Sequence, residues 1–238
     1  MNTLINKKVA FQDLGTQDYQ PTWDYQEELL KKNLETKISN REHPENQKMT
    51  DNHLLFVEHP HVYTLGKSGH EENLLANQDK LKEINATYVK VNRGGDITYH
   101  GFGQIVGYPI LDLENFYTDI HRYMRDLEEV IIRTIAEYGL KGERSQGETG
   151  VWLDVGKPYA RKICAMGVKA SRWVTIHGFA LNVNTDMKYF EYIIPCGITD
   201  KQVTSLKREL EKDVDIEEVK SKIKKHFTDV FDCELIGN

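Results

Sequence analysis

The sequence predicts an α+β fold in a single domain, a mixed β-sheet packed with helices. Three observations carry this. Helical and strand-like stretches follow one another without the regular βα alternation of a parallel sheet. Between 150 and 184 three β-rich runs are separated by only a few residues, spacing that suits an antiparallel meander. Two stretches, 21–42 and 119–138, repeat apolar residues at the helical period. A chain of 238 residues is long enough for one well-buried core, so residues 1–238 are read as one domain.

Taken in order, residues 21–42 place Trp23, Glu27, Leu30, Leu34 and Ile38 one turn apart with charge on the other side, a helix expected to lie on a sheet. The polar stretch 43–52 has little to bury and reads as a mobile surface loop. "HLLFVEH" and "VYTLG" read as short strands broken by Pro60, which has no N–H to give a ladder. Residues 73–85 are weakly helical, and "TYVKVN" alternates like a strand. In "RGGDITYHGFGQ" glycine takes four of twelve positions, which argues against ordinary helix or strand and for close backbone approach. "IVGYPILDL" is a buried-strand candidate. Ile120, Tyr123, Met124, Leu127, Ile131, Ile135 and Tyr138 share one helical face that stops at Gly139. "GVWLDV", "KICAMGVK" and "WVTIHGFALNVN" are the three runs of the meander. Asp215 with Glu218 resembles a capping pair before a final helix lined by Ile216, Val219, Ile223 and Phe227.

Composition narrows the function classes. A net charge of -6 with both signs interspersed gives no basic stripe for nucleic acid. No window approaches ~18 apolar residues, and the N-terminus lacks the apolar core of a signal peptide, so a cytoplasmic protein with no membrane partner is expected. Cysteines at 164, 196 and 233 without a C-x-x-C pair are expected to be free thiols rather than a disulfide framework or a zinc ribbon.

The candidate chemistry centres on "YIIPCGIT", residues 192–199, where Pro195 and Gly197 flank Cys196 at a tight bend. A turn presents a side chain clear of the core, whereas Cys164 in "ICAMG" sits in an apolar run and Cys233 lies near the chain end. A thiol with pKa ~8.5 needs a base or cation beside it to act at neutral pH. Arg161 and Lys162 open an apolar strand, and alternation sends one of the two toward the buried face. An inward Lys162 would have its pKa lowered and could exchange protons with the thiol; an outward one would be a solvated strand-end lysine. His59 and His61 flank Pro60, and no Cys, Asp or Glu stands near them at ligand spacing, so no metal site is read there. His100 and His177 each precede a glycine, either as donors in a cleft or as closures of strand ends. The glycine-rich loop matches neither nucleotide-binding glycine pattern. It reads better as the wall of a slot for an extended apolar ligand, with Arg93 and His100 at its polar end.

"NRGGDITYHGFGQIVGYPI" (92–110), "KICAMGVKASRWVTIHGFALNVN" (162–184) and "IIPCGI" (193–198), with "EHPHVYTLGK" and "VTSL" in support, together resemble the lipoyl(octanoyl) transferases over roughly residues 10–210. That resemblance implies a fold like the biotin and lipoate protein ligases, with an acyl tunnel beneath the glycine-rich loop. It implies that Cys196 carries an acyl thioester and that Lys162 lowers its pKa and relays protons. It maps substrate binding onto Arg93, Gly94, Gly95, Asp96, Ile97, Thr98, Tyr99 and His100, onto Ala165, Met166 and Gly167, and onto Gly178, Phe179 and Ala180, with His59 close by. The implied donor is octanoyl-acyl carrier protein. The implied acceptors are lipoyl domains of 2-oxoacid dehydrogenase acyltransferase subunits and the glycine cleavage H protein, with no cofactor and no ATP. Residues 211–238, beyond the stretch that carries the resemblance most strongly, are read as the helical C-terminal tail of the same domain. Carrier proteins and lipoyl domains are generally acidic, so a local basic rim of Lys67, Lys141, Arg144 and Lys169 is expected. Phe102 stands where the family usually has proline, which adds bulk near the cleft and points to an altered acyl preference or loop mobility. Two other readings remain: an ATP-dependent lipoate or biotin ligase of the same fold, and a non-catalytic acyl-binding protein.

Overall fold

The computed structural model describes residues 5–194 and 202–237. In chain order its strands are β1 (Lys8–Thr16), β2 (Asn52–Glu58), β3 (Val62–Leu65), β4 (Thr87–Lys90), β5 (Ile97–His100), β6 (Gln104–Ile110), β7 (Val151–Leu153), β8 (Arg161–Ser171), β9 (Val174–Asn182), β10 (Gln202–Val203) and β11 (Glu234–Ile236). The helices are α1 (Tyr19–Glu42), α2 (Gln78–Glu83), α3 (Ile120–Ala136), α4 (Leu206–Leu210) and α5 (Ile216–Phe231).

The large sheet runs β10-β8-β9-β6-β2-β1-β11, with β7 also paired to β8, and the small sheet runs β4-β3-β5. The pairs β8–β9, β9–β6 and β6–β2 are antiparallel, while β1 lies parallel to both β2 and β11. The mixed sheet and the meander β7-β8-β9 match the expectation. The β8–β9 turn has positive φ at both Arg172 and Trp173, the twist a tight hairpin needs, yet neither residue is a usual occupant.

Two layers of helix cover the large sheet. α3 and α5 pack on one face, where Leu127, Ile131, Val219, Ile223 and Phe227 share a fully buried cluster with Leu54, Ile105 and Leu181. Residues 211–237 contain α5, which packs into this core, and β11, which extends the sheet beside β1. Asp215 caps α5 by accepting from the backbone N–H of Glu217 and Glu218, whereas the Glu218 carboxylate pairs forward with Lys222. Among the described residues no helix is long and apolar enough to cross a membrane.

α1 covers the other face, and its inward side differs from the expected stripe. Tyr19, Thr22, Gln26, Leu29, Leu30 and Asn33 are buried, while Ile38 is exposed. Polar residues fill this side because they bond to the sheet and to the strand that follows: Gln26 takes the His177 N–H, and Asn33 exchanges two bonds with the Asp51 backbone. Asn40 does the same with Lys48, so the 43–52 segment is tied to α1. Lys37, nearly buried, reaches Asp112 at the end of β6 at 2.7 Å, which fixes the helix over the strands that carry the site.

"RGGDITYHGFGQ" contains strand β5, contrary to the expectation of loop throughout. Four alternating residues between two glycine pairs are enough to pair with β3; averaging glycine over twelve positions conceals them.

Candidate active site

A cleft enclosing about 820 Å³ of empty space, its open mouth included, lies between the large sheet, β5 and the start of α1. Its floor follows from two directly opposed pairs, Ala165 with Ala180 and Gly167 with Gly178, across β8 and β9. Small residues two apart on both strands leave a trough that larger side chains would fill. The glycine-rich segment forms the roof and approaches closely: a Cβ on Gly167 would stand 2.7 Å from the Gly94 carbonyl oxygen and 3.2 Å from Arg93 Cδ. Gly167→Ala is accordingly expected to push that roof outward and lower stability by about 1–3 kcal/mol; urea unfolding checks it, and an unchanged midpoint would contradict this packing.

Lys162 reaches the cleft through a defect in β8. The pairing of β7 with β8 slips by one residue, Val151 opposing Cys164 and Trp152 opposing Lys162. Ile163 and Cys164 in succession are then fully buried in the α3/α5 core, and Lys162, which strict alternation from Cys164 would send to that core, lines the cleft instead. β-Bulges re-aim side chains in this way. The Lys162 ammonium lies 4.6 Å over the ring of Trp152. Arg161 turns the other way into a two-pronged pair with Glu209 at 2.5 Å and 2.7 Å and a bond to Asp154. Of the two basic residues, the lysine is the inward one.

Beside apolar residues such as Ile97, Val106 and Phe179, the cleft wall carries a set of neutral polar side chains and one buried guanidinium. Gln104 donates to Asn182 and to the Tyr99 carbonyl, so its own oxygen accepts from His100 Nδ1 at 2.8 Å. His59 donates through Nδ1 to the Gln17 carbonyl, and its Nε2 accepts from the Tyr108 hydroxyl at 2.8 Å. Burial pushes His59 down to about 4 and His100 and His177 down to about 3, so all three are uncharged at neutral pH. Tyr19 stacks on His100, and burial raises its hydroxyl to about 12. Arg93 supplies the buried positive charge; it donates to the carbonyl and hydroxyl of Thr64 and to the Gly94 carbonyl.

Of the residues singled out from the sequence, Lys162, Arg93, Gly95, Asp96, Ile97, Thr98, His100, Ala165, Met166, Gly167, Gly178, Phe179 and Ala180 line the cleft. Three do not. Gly94 donates its N–H to the Val168 carbonyl. Tyr99 points to the other side of β5, where it bonds His61. His59 lies one layer back, behind Tyr108. The two ring nitrogens of His59 and the bond from His61 to Tyr99 commit these histidines to the fold. Cys196 lies outside the described residues. Cys164 is fully buried, with its thiol pushed well above the usual range by burial; the Cys233 thiol is pushed up to about 12, by burial and then by Asp232.

The sequence reading passed over Tyr19, Gln104, Val106, Tyr108, Asn182 and Phe190, all of which line the cleft. Gln104, Val106 and Tyr108 lie inside the 92–110 motif, and their alternation was the available signal; Tyr19, the first residue of α1, had none. Phe102 is half exposed, edge-on to His61, and outside the cleft lining, so its bulk does not bear on an acyl chain there. The expected basic rim is largely paired: Lys169 with Glu27, Lys141 with Glu143, Arg144 with Glu128 and Glu129.

Comparison with known proteins agrees with this architecture. Residues 18–228 match the family model of the lipoyl protein ligase A/B catalytic domain. An octanoyltransferase of Christiangramia forsetii is 64% identical over 232 residues, covering 97% of this chain and 99% of that one. One from Flavobacterium psychrophilum is 65% identical over 234 residues, covering 98% and 100%. Among solved structures, a bipartite lipoate protein ligase from Thermoplasma acidophilum superposes with a TM-score of 0.67 at 17% identity, covering 99% of this chain and 87% of that one, which is a likeness of fold. The chain belongs to the lipoyl protein ligase A/B catalytic domain family.

Proposed function

We propose that the chain is a cytoplasmic octanoyltransferase. In this reading it moves an octanoyl group from acyl carrier protein to a lysine ε-amine of a lipoyl domain, through a thioester on Cys196. The observation that carries it is Lys162, turned by the β8 bulge into an enclosed trough with an Ala165/Ala180 floor. A cation at one end of a narrow apolar slot suits a medium-length acyl chain with a reacting carbonyl at that end. The relatives named octanoyltransferase point the same way.

The steps balance without a cofactor. The Cys196 thiolate attacks the carrier-bound carbonyl; a C–S bond to Cys196 forms, the C–S bond to the carrier breaks, and the departing thiolate takes a proton from the Lys162 ammonium. The acceptor amine then attacks the acyl-enzyme. The C–N bond forms, the C–S bond to Cys196 breaks, and Lys162 takes the proton the nitrogen loses. A thioester is already activated, so ATP has no step to drive. In this reading the tetrahedral oxyanion is held by backbone N–H groups near Lys162 or in the glycine-rich segment. We assign the whole chain to one catalytic domain and the acceptor lysine to lipoyl domains of 2-oxoacid dehydrogenase acyltransferase subunits or the glycine cleavage H protein.

Exposure of the purified chain to octanoyl carrier protein is expected to add one octanoyl mass to the peptide containing Cys196, and Cys196→Ala is expected to abolish both the adduct and the transfer. Transfer by Cys196→Ala at the wild-type rate would overturn the thioester route, and labelling that required ATP and free acid would favour a ligase.

A further inference from the structure

Lys162 faces the cleft because β7 and β8 are held one residue out of step, and the contacts that hold them can be named. After the slip, Trp152 and Leu153 oppose Lys162 and Arg161. That register is pinned from outside the pair: Trp152 and Glu143 exchange backbone hydrogen bonds at 2.8 Å and 2.9 Å, and the Glu143 carboxylate accepts from the Val155 N–H. Before the slip, Val151 opposes Cys164, which leaves Ile163 as the extra residue of a bulge.

The chain before the slip has its own anchors. Thr149, which lines the cleft, donates its hydroxyl to the Met166 carbonyl at 3.2 Å. Gly150 takes a φ of +104° and lies so close to β8 that a Cβ there would stand 2.4 Å from the Cys164 carbonyl oxygen. Its N–H goes to Glu128 Oε1 on α3, 3.0 Å away. Two anchors one residue out of step thus stand on either side of the bulge, and Glu128 supplies part of the first.

Glu128 is costly where it is. The residue is fully buried on α3 beside Leu127, Ile131 and Ile135 of the main core, and a buried carboxylate persists only when its oxygens are used. One oxygen serves Gly150; the other pairs with Arg125 at 2.8 Å and Arg144 at 3.2 Å. These two guanidinium groups have other recourse. Their side chains are 43% and 36% exposed, and Arg144 also pairs with Glu129. The Gly150 N–H is buried and has no water to turn to.

Resting on the octanoyl-transfer reading above, we propose that Glu128 is the positioning residue for Lys162. By taking the Gly150 N–H it holds the start of β7 out of step with Trp152 and so maintains the bulge that turns the lysine into the cleft. A buried N–H left unpaired drives its segment to move. Movement of residues 149–151 into step with Trp152 would absorb the bulge, and alternation would then return Lys162 toward the core face.

Two substitutions separate reach from charge. Glu128→Gln keeps an oxygen at the same reach and gives up the charge, whereas Glu128→Asp keeps the charge for the arginines and withdraws the carboxylate by one methylene. Single-turnover transfer from octanoyl carrier protein and the pH dependence of iodoacetamide alkylation at Cys196 are measured for each, with circular dichroism and melting temperature. Glu128→Gln is expected to stay near wild type in both. Glu128→Asp is expected to slow transfer about 10–100-fold, the cost of a reacting group misplaced by about 1 Å. It is also expected to raise the apparent thiol pKa, because the ammonium no longer favours the thiolate. In a Lys162→Met background Glu128→Asp is expected to shift the alkylation profile no further, since both act through one group. A Gln variant as slow as Asp would overturn the proposal, because charge and not reach would then matter. So would a folded Asp variant near wild type, or a shift by Glu128→Asp that persists undiminished without Lys162. Where Asp does not fold, the Gln variant alone decides between charge and reach. Absence of transfer by the wild type would remove the octanoyl reading itself, while the alkylation profiles would still judge the placement of Lys162.

Discussion

Lys162→Met is expected to leave the protein folded and to slow octanoyl transfer about 10³-fold, within the range a positioned general acid–base residue contributes. Methionine keeps the length of the side chain over the Trp152 ring and loses the cation–π attraction, worth about 0.5–2 kcal/mol, so the fold is expected to survive. What it cannot do is return a proton to a departing thiolate or stabilise the Cys196 thiolate by charge. Two measurements separate these roles. Single-turnover transfer from octanoyl carrier protein reads the proton relay. The pH dependence of iodoacetamide alkylation at Cys196 reads the charge: the apparent thiol pKa is expected to rise in Lys162→Met, because the nearby positive charge that favours the thiolate is gone. Turnover within tenfold of wild type together with an unchanged alkylation profile would strip Lys162 of its assigned part.

The choice between Arg161 and Lys162 shows how far the sequence reaches. Alternation required one of them to face inward, and the apolar run after them located the strand. Which one it would be depended on the bulge at Ile163, and nothing in "RKICAMG" announces a bulge, because Ile and Cys fit either face of a buried strand. The trough floor was legible in principle: Ala-x-Gly on β8 opposite Gly-x-Ala on β9 leaves no side chain to fill the space. The helices α3 and α5 were legible because their apolar stripes are wide. The inward face of α1 was not, since Gln26, Thr22 and Asn33 are buried there for their hydrogen bonds, and periodicity counts only apolar residues. The meeting of Tyr19, Tyr108 and His177 at the cleft is hidden for the same reason: they are polar residues of three separate segments, and no local pattern marks their coming together.

Those polar residues carry a second large expected effect, a steep loss of stability in mild acid. His59, His100 and His177 are held neutral in the folded protein, lowered by burial from 6.5 to about 4, 3 and 3, whereas in the unfolded chain each titrates near 6.5. Above pH 6.5 neither state binds protons at these sites, so their contribution is fully present and independent of pH. Below it the unfolded chain takes up protons that the folded one refuses. Stability therefore falls as pH falls from 6.5 toward 4, and near pH 5 unfolding takes up about three protons, a slope of about 4 kcal/mol per pH unit. His53 and His61, also lowered mainly by burial, act in the same direction. Denaturant unfolding at pH 7.5, 6 and 5 checks the slope, and His100→Gln, which removes one titrating ring, is expected to reduce it by about one proton. Equal stability at pH 7.5 and pH 5 would mean that these rings charge in place, and the neutral histidines described at the cleft would have to be abandoned. The same neutrality bears on the chemistry. A charged imidazole beside Arg93 would draw water into a trough that has to admit a hydrocarbon chain, so loss of transfer in acid is expected to begin at the onset of this titration.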